Sequence, residues 1–187
     1  MRRLTVFNNI SLDGYFTGAG GDLTWAYAAP EDREFNAFVE GNARGGDLLL
    51  LGRITYEMMA GYWPTALAAL QKPVLAGWMN ALNKVVFSRT MDRAGWANTR
   101  LVSDGLAEEI RRLKAGPGGG LTVLGSGSVV AQLAQAGLVD EYQLVVNPVV
   151  LGAGRTLFEG VVEHLPMTFL RSRTFANGCV LLCYQAG

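Results

Sequence analysis

The sequence predicts an α/β fold, a mostly parallel sheet with helices on both faces, and three observations carry that reading. Apolar runs of strand length alternate with helical patterns along the chain, the signature of packed α and β layers. Asp47–Leu51 reads as a buried strand, as parallel sheets require of their members. The tail changes character: Met167–Thr174 and Cys179–Tyr184 flank Asn177-Gly178, a tight-turn dipeptide that makes the pair an antiparallel hairpin.

The elements follow in order. Leu4–Ile10 is the first strand, followed by a loop carrying Gly14, Gly18, Gly20 and Gly21. A helix begins at Pro30, with Glu31 and Asp32 in its first turn. After strand Asp47–Leu51, a short helix over Ile54–Ala60 is ended by Gly61 and Pro64. Val85–Ser88 and Leu101–Val102 are strands, and a charged helix runs from about Leu106 to Ala115. The turn at Gly116–Gly120 leads into strand Leu121–Leu124. A helix over Val129–Ala136 is closed by Gly137, in the position where the chain turns left-handed. Glu141–Val146 is a strand ending at Asn147-Pro148. No repeat, low-complexity linker or boundary interrupts the 187 residues, so one domain is expected.

Composition excludes several classes. Half of the residues are hydrophobic and 17% are charged, which argues against disorder. Sixteen basic residues balance sixteen acidic ones, so the basic footprint of a nucleic-acid binder is missing. No signal peptide is read at the start, and no uncharged run is long enough to cross a membrane. Cys179 and Cys183 share one strand, where four residues span about 13 Å, too far for a disulfide. Reduced core thiols and a cytoplasmic setting are expected. Neutral charge leaves room for association through apolar surface, so a homodimer is expected.

Three segments share one geometry, a strand end followed by small or hydroxyl residues and then a helix or turn: Leu51-Gly52-Arg53-Ile54-Thr55, Phe87-Ser88-Arg89-Thr90 and Leu124-Gly125-Ser126-Gly127-Ser128. Ligands of parallel sheets bind at the carboxyl ends of strands. A helix start there offers unpaired N–H groups and partial positive charge, which suit phosphate. Each segment taken alone also reads as ordinary turn and cap chemistry. Gly125-x-Gly127 lacks the third glycine of a dinucleotide fingerprint, since Val130 holds that position, and no acidic ribose partner follows. The three together point to a cradle for a dinucleotide's phosphates.

Ser11-Leu12-Asp13-Gly14, Gly52-Arg53-x-Thr55-Tyr56-Glu57 and Leu124-Gly125-Ser126-Gly127 occur in the same order in the dihydrofolate-reductase-like superfamily, which the chain resembles. Asp140-Glu141-Tyr142, Asn147-Pro148-Val149-Val150-Leu151-Gly152-x-Gly154, Leu157-Phe158 and Arg173-x-Phe175-x-Asn177-Gly178 resemble the RibD C-terminal branch, the riboflavin-biosynthesis reductase domain and its stand-alone relatives. The resemblance spans nearly the whole chain. It implies a dihydrofolate-reductase-like three-layer fold, a central mostly parallel sheet with antiparallel C-terminal strands, that binds NADPH and reduces a small heterocyclic or carbonyl compound. By position, Gly52, Arg53 and Thr55 would serve the cofactor phosphates, and Ser88, Arg89 and Thr90 the adenosine ribose. Gly125, Ser126, Gly127 and Ser128 would wrap the other side of the pyrophosphate, and the main chain at Asn9 and Ile10 would face the nicotinamide. Arg53 and Arg89 suit the extra 2′-phosphate of NADPH. The same resemblance leaves room for a nucleotide-binding protein without catalysis.

Two carboxylates are candidate proton donors. Glu34 and Glu31 flank the apolar stripe of Phe35, Phe38 and Val39, where a carboxyl's pKa can rise, though a first-turn acid also complements the helix dipole. Counting back from Gly52 to the acid of dihydrofolate reductase lands near Asn36. Asp13 follows the first strand, but Asp-Gly is also an ordinary turn pair. The riboflavin reductases commonly carry lysine after that pair, whereas Tyr15 stands here, which departs from their substrate pattern. Trp25, Tyr56, Tyr62 and Trp63 offer an aromatic wall for a flat substrate, with core packing the default for each. Gly154 and Arg155 can meet an anionic substrate or form a bulged connection. His164, the only histidine, has no acidic partner nearby, so neither a metal site nor a triad is expected.

Overall fold

The computed structural model describes residues 1–27 and 30–187, and of residues 43–46 the backbone only. Its core is an eight-stranded sheet. The strands are β1 (Leu4–Ser11), β3 (Gly46–Gly52), β4 (Asn83–Phe87), β5 (Thr99–Val102), β6 (Gly120–Leu124), β7 (Glu141–Asn147), β9 (Met167–Thr174) and β10 (Val180–Ala186), and the remaining two, β2 (Tyr15–Gly18) and β8 (Gly154–Thr156), pair separately. The sheet order is β5-β4-β3-β6-β1-β7-β10-β9. Every pair from β5 to β7 is parallel, and β10 is antiparallel to both β7 and β9. The expected class, parallel sheet and C-terminal hairpin are therefore present. Because the parallel strands share one direction, β1, β3, β4, β6 and β7 deliver their carboxyl ends to a single edge.

Helices α1 (Arg33–Gly45), α2 (Arg53–Tyr62), α3 (Ala66–Gln71), α4 (Pro73–Ala81), α5 (Leu106–Ala115) and α6 (Gly127–Gln135) surround the sheet. Leu4, Val6, Leu50, Val85, Leu121 and Val123 pack on one face with Ile110 of α5 and Leu133 of α6. The opposite face carries two separate apolar clusters. Leu49, Leu51 and Val86 pack with Tyr56, Met79 and Trp96, while Val145, Leu181 and Cys183 pack with Phe7, Phe35 and Phe38. Both cysteines are buried and free, as expected.

Four local expectations are corrected. Helix α1 begins at Arg33 rather than Pro30, because Asp32 caps it, its Oδ1 accepting the N–H of Glu34 at 2.8 Å and of Phe35 at 3.0 Å. These backbone bonds hold the Asp32 carboxyl below its ordinary range. Helix α2 continues through Gly61 to Tyr62. Helices α3 and α4 were not expected from the pattern; Thr65 caps the first, accepting Ala68 N–H at 3.2 Å, and Pro73 opens the second, where a missing N–H costs nothing. The loop after β1 contains β2, which pairs with β8, so Gly154 and Arg155 lie in a strand.

Candidate functional site

Two of the three expected strand-end segments are bound to each other. The Gly52 N–H donates to Ser126 Oγ at 2.8 Å, and Thr55 Oγ1 lies 2.9 Å from the same oxygen. Ser126 thus joins the β3–α2 turn to the β6–α6 turn. Glycine is required at both turns: a Cβ on Gly52 would stand 2.5 Å from Ser126 Oγ, and one on Gly125, whose φ is +58°, 2.9 Å from Thr55 Oγ1. Neither α2 nor α6 has a side-chain cap; in α6 the Val129 N–H bonds the Ser126 carbonyl at 2.9 Å, and the N–H groups ahead of it are the ones a phosphate ligand could meet. Gly125 N–H donates in turn to Asn8 Oδ1 at 2.9 Å, which ties the second turn to the central strand.

The third segment closes on itself. Ser88 follows β4, and its Oγ accepts the N–H of Thr90 at 3.2 Å and of Met91 at 3.1 Å. Arg89 is exposed, 3.7 Å from Asp104. Arg53 is also on the surface and pairs with Glu57 one helical turn on, at 3.0 Å. Exposed pairs of this kind are weak, so both guanidinium groups can exchange a carboxylate for a phosphate. Ser128 is exposed at the start of α6.

Beside the stitched turns the two apolar clusters approach each other across the central strands. Leu51 and Leu49 share their sheet face with Thr122 and Leu124 of β6, and these with Thr5 and Phe7 of β1. Leu124 and Phe7, at the border of the clusters, and Asn9 beyond Phe7 are only half-buried. Asn147 fixes this end of β1: its Nδ2 donates to Asn9 Oδ1 at 3.1 Å and to the Ile10 carbonyl at 3.4 Å. Asn8 and Asn147 are missing from the expected set, although polar residues at the end of an apolar strand are a readable signal, since burial obliges them to find partners.

The expected acids are both engaged. Asp13 accepts from Ser11 Oγ at 2.6 Å, Gly152 N–H at 2.8 Å and Leu151 N–H at 3.1 Å. These bonds, that from Ser11 foremost, lower its pKa to about 2. Asp13 is therefore a carboxylate at neutral pH, and it anchors the 151–152 turn to the end of β1. Glu34 stands in the first turn of α1 and pairs with Arg173 of β9, three strands from β1 in the sheet.

The aromatic candidates separate by burial. Trp25 and Tyr56 are core residues: the Trp25 indole donates to the Asp22 carbonyl at 3.1 Å, and Tyr56 Oη accepts Trp96 N–H at 2.9 Å. Core packing, the default for each, is the place both take. Trp63 is half-buried against the second cluster and stacks edge-on with Tyr62 at 5.0 Å. Gly154 and Arg155 are exposed, and Arg155 pairs with Glu159 at 2.8 Å. Among the described residues, no group of three His, Cys, Asp or Glu side chains could hold a metal, and no helix is long and apolar enough to cross a membrane.

Comparison with known proteins places this geometry. A family model described as the RibD C-terminal domain matches residues 2–181. An uncharacterized protein of Bacillus subtilis (strain 168), YyaP, is 30% identical over 184 residues, covering 98% of this chain and 95% of its own. A putative riboflavin biosynthesis protein from Shewanella sp. PV-4 superposes with a TM-score of 0.74 at 22% identity, covering 99% of both chains. Dihydrofolate reductase from Enterococcus faecalis, in a complex with NADP(H), superposes with a TM-score of 0.64 at 16% identity, over 99% of this chain and 96% of its own. Domain match and fold agree with the turns and strand order described above: the chain belongs to the RibD C-terminal domain family, on a dihydrofolate-reductase-like fold.

Proposed function

We propose that this protein is an NADPH-dependent reductase of a small heterocyclic or carbonyl or imine compound. One observation carries the proposal: Ser126 joins two helix starts without side-chain caps at the carboxyl edge of the sheet, beside the half-buried Leu124 and Phe7. Gly52 and Gly125 let the two turns close on each other, and a dinucleotide's pyrophosphate would lie where the two helix starts converge. The first-turn N–H groups of α2 and α6 would receive its charge. Arg53 and Arg89 would meet the 2′-phosphate, and Ser88 and Thr90 the ribose. The main chain of Asn9 and Ile10, oriented by Asn147, would hold the nicotinamide amide. NADPH, when bound, supplies the hydride.

The protein's own part is to orient and to exclude water. Leu124 and Phe7 give an apolar floor on which a flat substrate can lie. Trp63 borders it, and Arg155 can turn from Glu159 to an anionic group. With Asp13 ionised and Glu34 paired, the proton reaches the product from ordered water. Buried free thiols suit a cytoplasmic enzyme. That same engagement of both acids favours a second reading, a nucleotide-binding protein without turnover. The test is NADPH oxidation with a panel of pterins, pyrimidines and simple imines. Turnover of any member is the expected result; tight NADPH binding with no turnover would support the second reading, and equal weak binding of NADPH and NADH would refute both.

A further inference from the structure

Helix α1 packs on β7 and β10 but leaves β9 exposed beyond Met167. On the α1 side the register sets Gln143, Cys183 and Arg171 in one cross-strand row and Val145, Leu181 and Arg173 in the next. Phe35 and Phe38 of α1 pack on Val145, Leu181 and Cys183, while β9 ends both rows in an arginine. A cavity of about 340 Å³ remains between the helix and these rows. Phe38 and Leu181 form its apolar wall, and Asn42, Gln143, Arg171 and Arg173 its polar lining. The amides are held in a chain: Asn42 Nδ2 donates to Gln143 Oε1 at 3.1 Å, and Gln143 Nε2 to Glu141 Oε1 at 2.9 Å.

We propose that this cavity binds a small aromatic carboxylic acid as its anion. An apolar wall with a few placed polar groups is the usual make-up of a small-molecule pocket, and the volume lies at the small end of that class. Arg171 and Arg173 stand two residues apart on one strand face, about 6.6 Å along the strand, and a guanidinium matches a carboxylate with two parallel hydrogen bonds. Both already hold carboxylates of the chain itself, Arg171 that of Glu141 at 2.9 Å and Arg173 that of Glu34. Both can exchange them. The Glu34 and Arg173 side chains are 60% and 44% exposed, a setting in which an ion pair is weak. Glu141 is buried, and it keeps Arg3 at 3.0 Å and Gln143 when Arg171 turns away. Within these pairs three guanidinium groups, of Arg3, Arg171 and Arg173, meet two carboxylates, so a positive charge is left for the ligand. Arg173 is steadied 5.0 Å from the centre of the Phe175 ring, which packs in turn on Phe38. The cavity shares no residue with the candidate cofactor site, so this inference stands independently of the proposed function.

Two other places could take an acid: Arg155 at the candidate site, and a basic groove lined by Arg2, Arg100 and Arg112 at the amino ends of the parallel strands. The experiment separates the three. Para-fluorobenzoate and its neutral amide are titrated against the protein by fluorine NMR, with circular dichroism as a check on folding. The wild type is expected to bind the acid with a Kd of about 1 mM or tighter and the amide far more weakly. Arg171→Gln and Arg173→Gln should each weaken the acid about 10-fold. Glu34→Gln, which removes the competing carboxylate, should tighten it about 2- to 5-fold, the worth of an exposed pair. Arg100→Gln and Arg155→Gln should leave it unchanged. Arg173 is half-exposed, so its variant tests the cavity even if Arg171→Gln fails to fold. No saturation below about 10 mM would leave the two arginines as charges guarding an edge strand and overturn the proposal. Equal binding of acid and amide, or a loss seen only in Arg100→Gln or Arg155→Gln, would overturn it as well.

Discussion

Ser126 Oγ receives the Gly52 N–H at 2.8 Å across 74 residues of sequence, and this one bond joins two strand-end turns to each other. Gly52→Ala would drive a Cβ to 2.5 Å from that oxygen, so the turns must separate. We expect NADPH affinity to fall at least ~10-fold, which corresponds to about 1.4 kcal/mol. Ser126→Ala leaves the buried Gly52 N–H unpaired and is expected to cost roughly 1–3 kcal/mol of stability. Titration calorimetry and urea unfolding read the two effects separately.

Arg53 and Arg89 both lie on the surface in replaceable ion pairs. The double variant Arg53→Ala/Arg89→Ala is expected to weaken NADPH about 10- to 100-fold while leaving NADH nearly unchanged, since only NADPH carries the extra phosphate. Equal losses for the two cofactors would show that these arginines do not meet the 2′-phosphate.

Asp13 has a pKa lowered to about 2 by its hydrogen bonds. A depressed carboxylate pKa contributes stability above the unfolded value, which is lost as pH falls through the folded one. The window therefore runs from about pH 4 down to pH 2. Hydrogen exchange at Leu151 and Gly152 should stay protected from neutral pH to pH 4 and lose protection below it. In Asp13→Asn both amides should exchange faster than in the wild type at neutral pH, with the difference closing as the wild-type carboxyl is protonated near pH 2.

Lys84 is buried near the start of β4, donating to the carbonyls of Leu82 at 2.5 Å and Ala97 at 3.2 Å and lying 4.3 Å from the centre of the Trp96 ring. Burial pushes its pKa down to about 8. Between pH 8 and the ordinary lysine value the unfolded chain holds more protons than the folded one, so stability rises with pH across that window. Thermal melts of the wild type should show this gain relative to Lys84→Met, which has no such group to titrate. A flat difference between pH 8 and 10 would contradict it.

Much of the fold is legible in local pattern. Strands β1, β3, β6, β7 and β9 fall where the apolar runs place them, and Gly137, with φ +62°, closes the α6 segment as expected. Helices α3 and α4 escaped that pattern because apolar residues lie on both their faces: Ala68, Ala76 and Met79 are buried while Leu67, Leu70 and Val74 are exposed, so no amphipathic stripe marks them. The strand-end segments were visible from glycine and hydroxyl spacing. Trp25 and Tyr56 take the core role that was the default for each, and sequence alone could not separate it from a wall because an aromatic residue reads alike in a core and in a cleft.

The sequence alone determined the layered α/β class, the strands and the three small-residue segments, because periodicity and turn chemistry act over a few neighbouring residues. Only the tertiary structure decided which of those segments meet. Ser126 reaches Gly52, Asn8 reaches Gly125, and Asn147 reaches Asn9, over separations of 74, 117 and 138 residues. It also decided that Asp13 is an anchor, since the Leu151 and Gly152 amides that hold its charge come from far along the chain. Such partners are brought together by strand order, which no local pattern encodes.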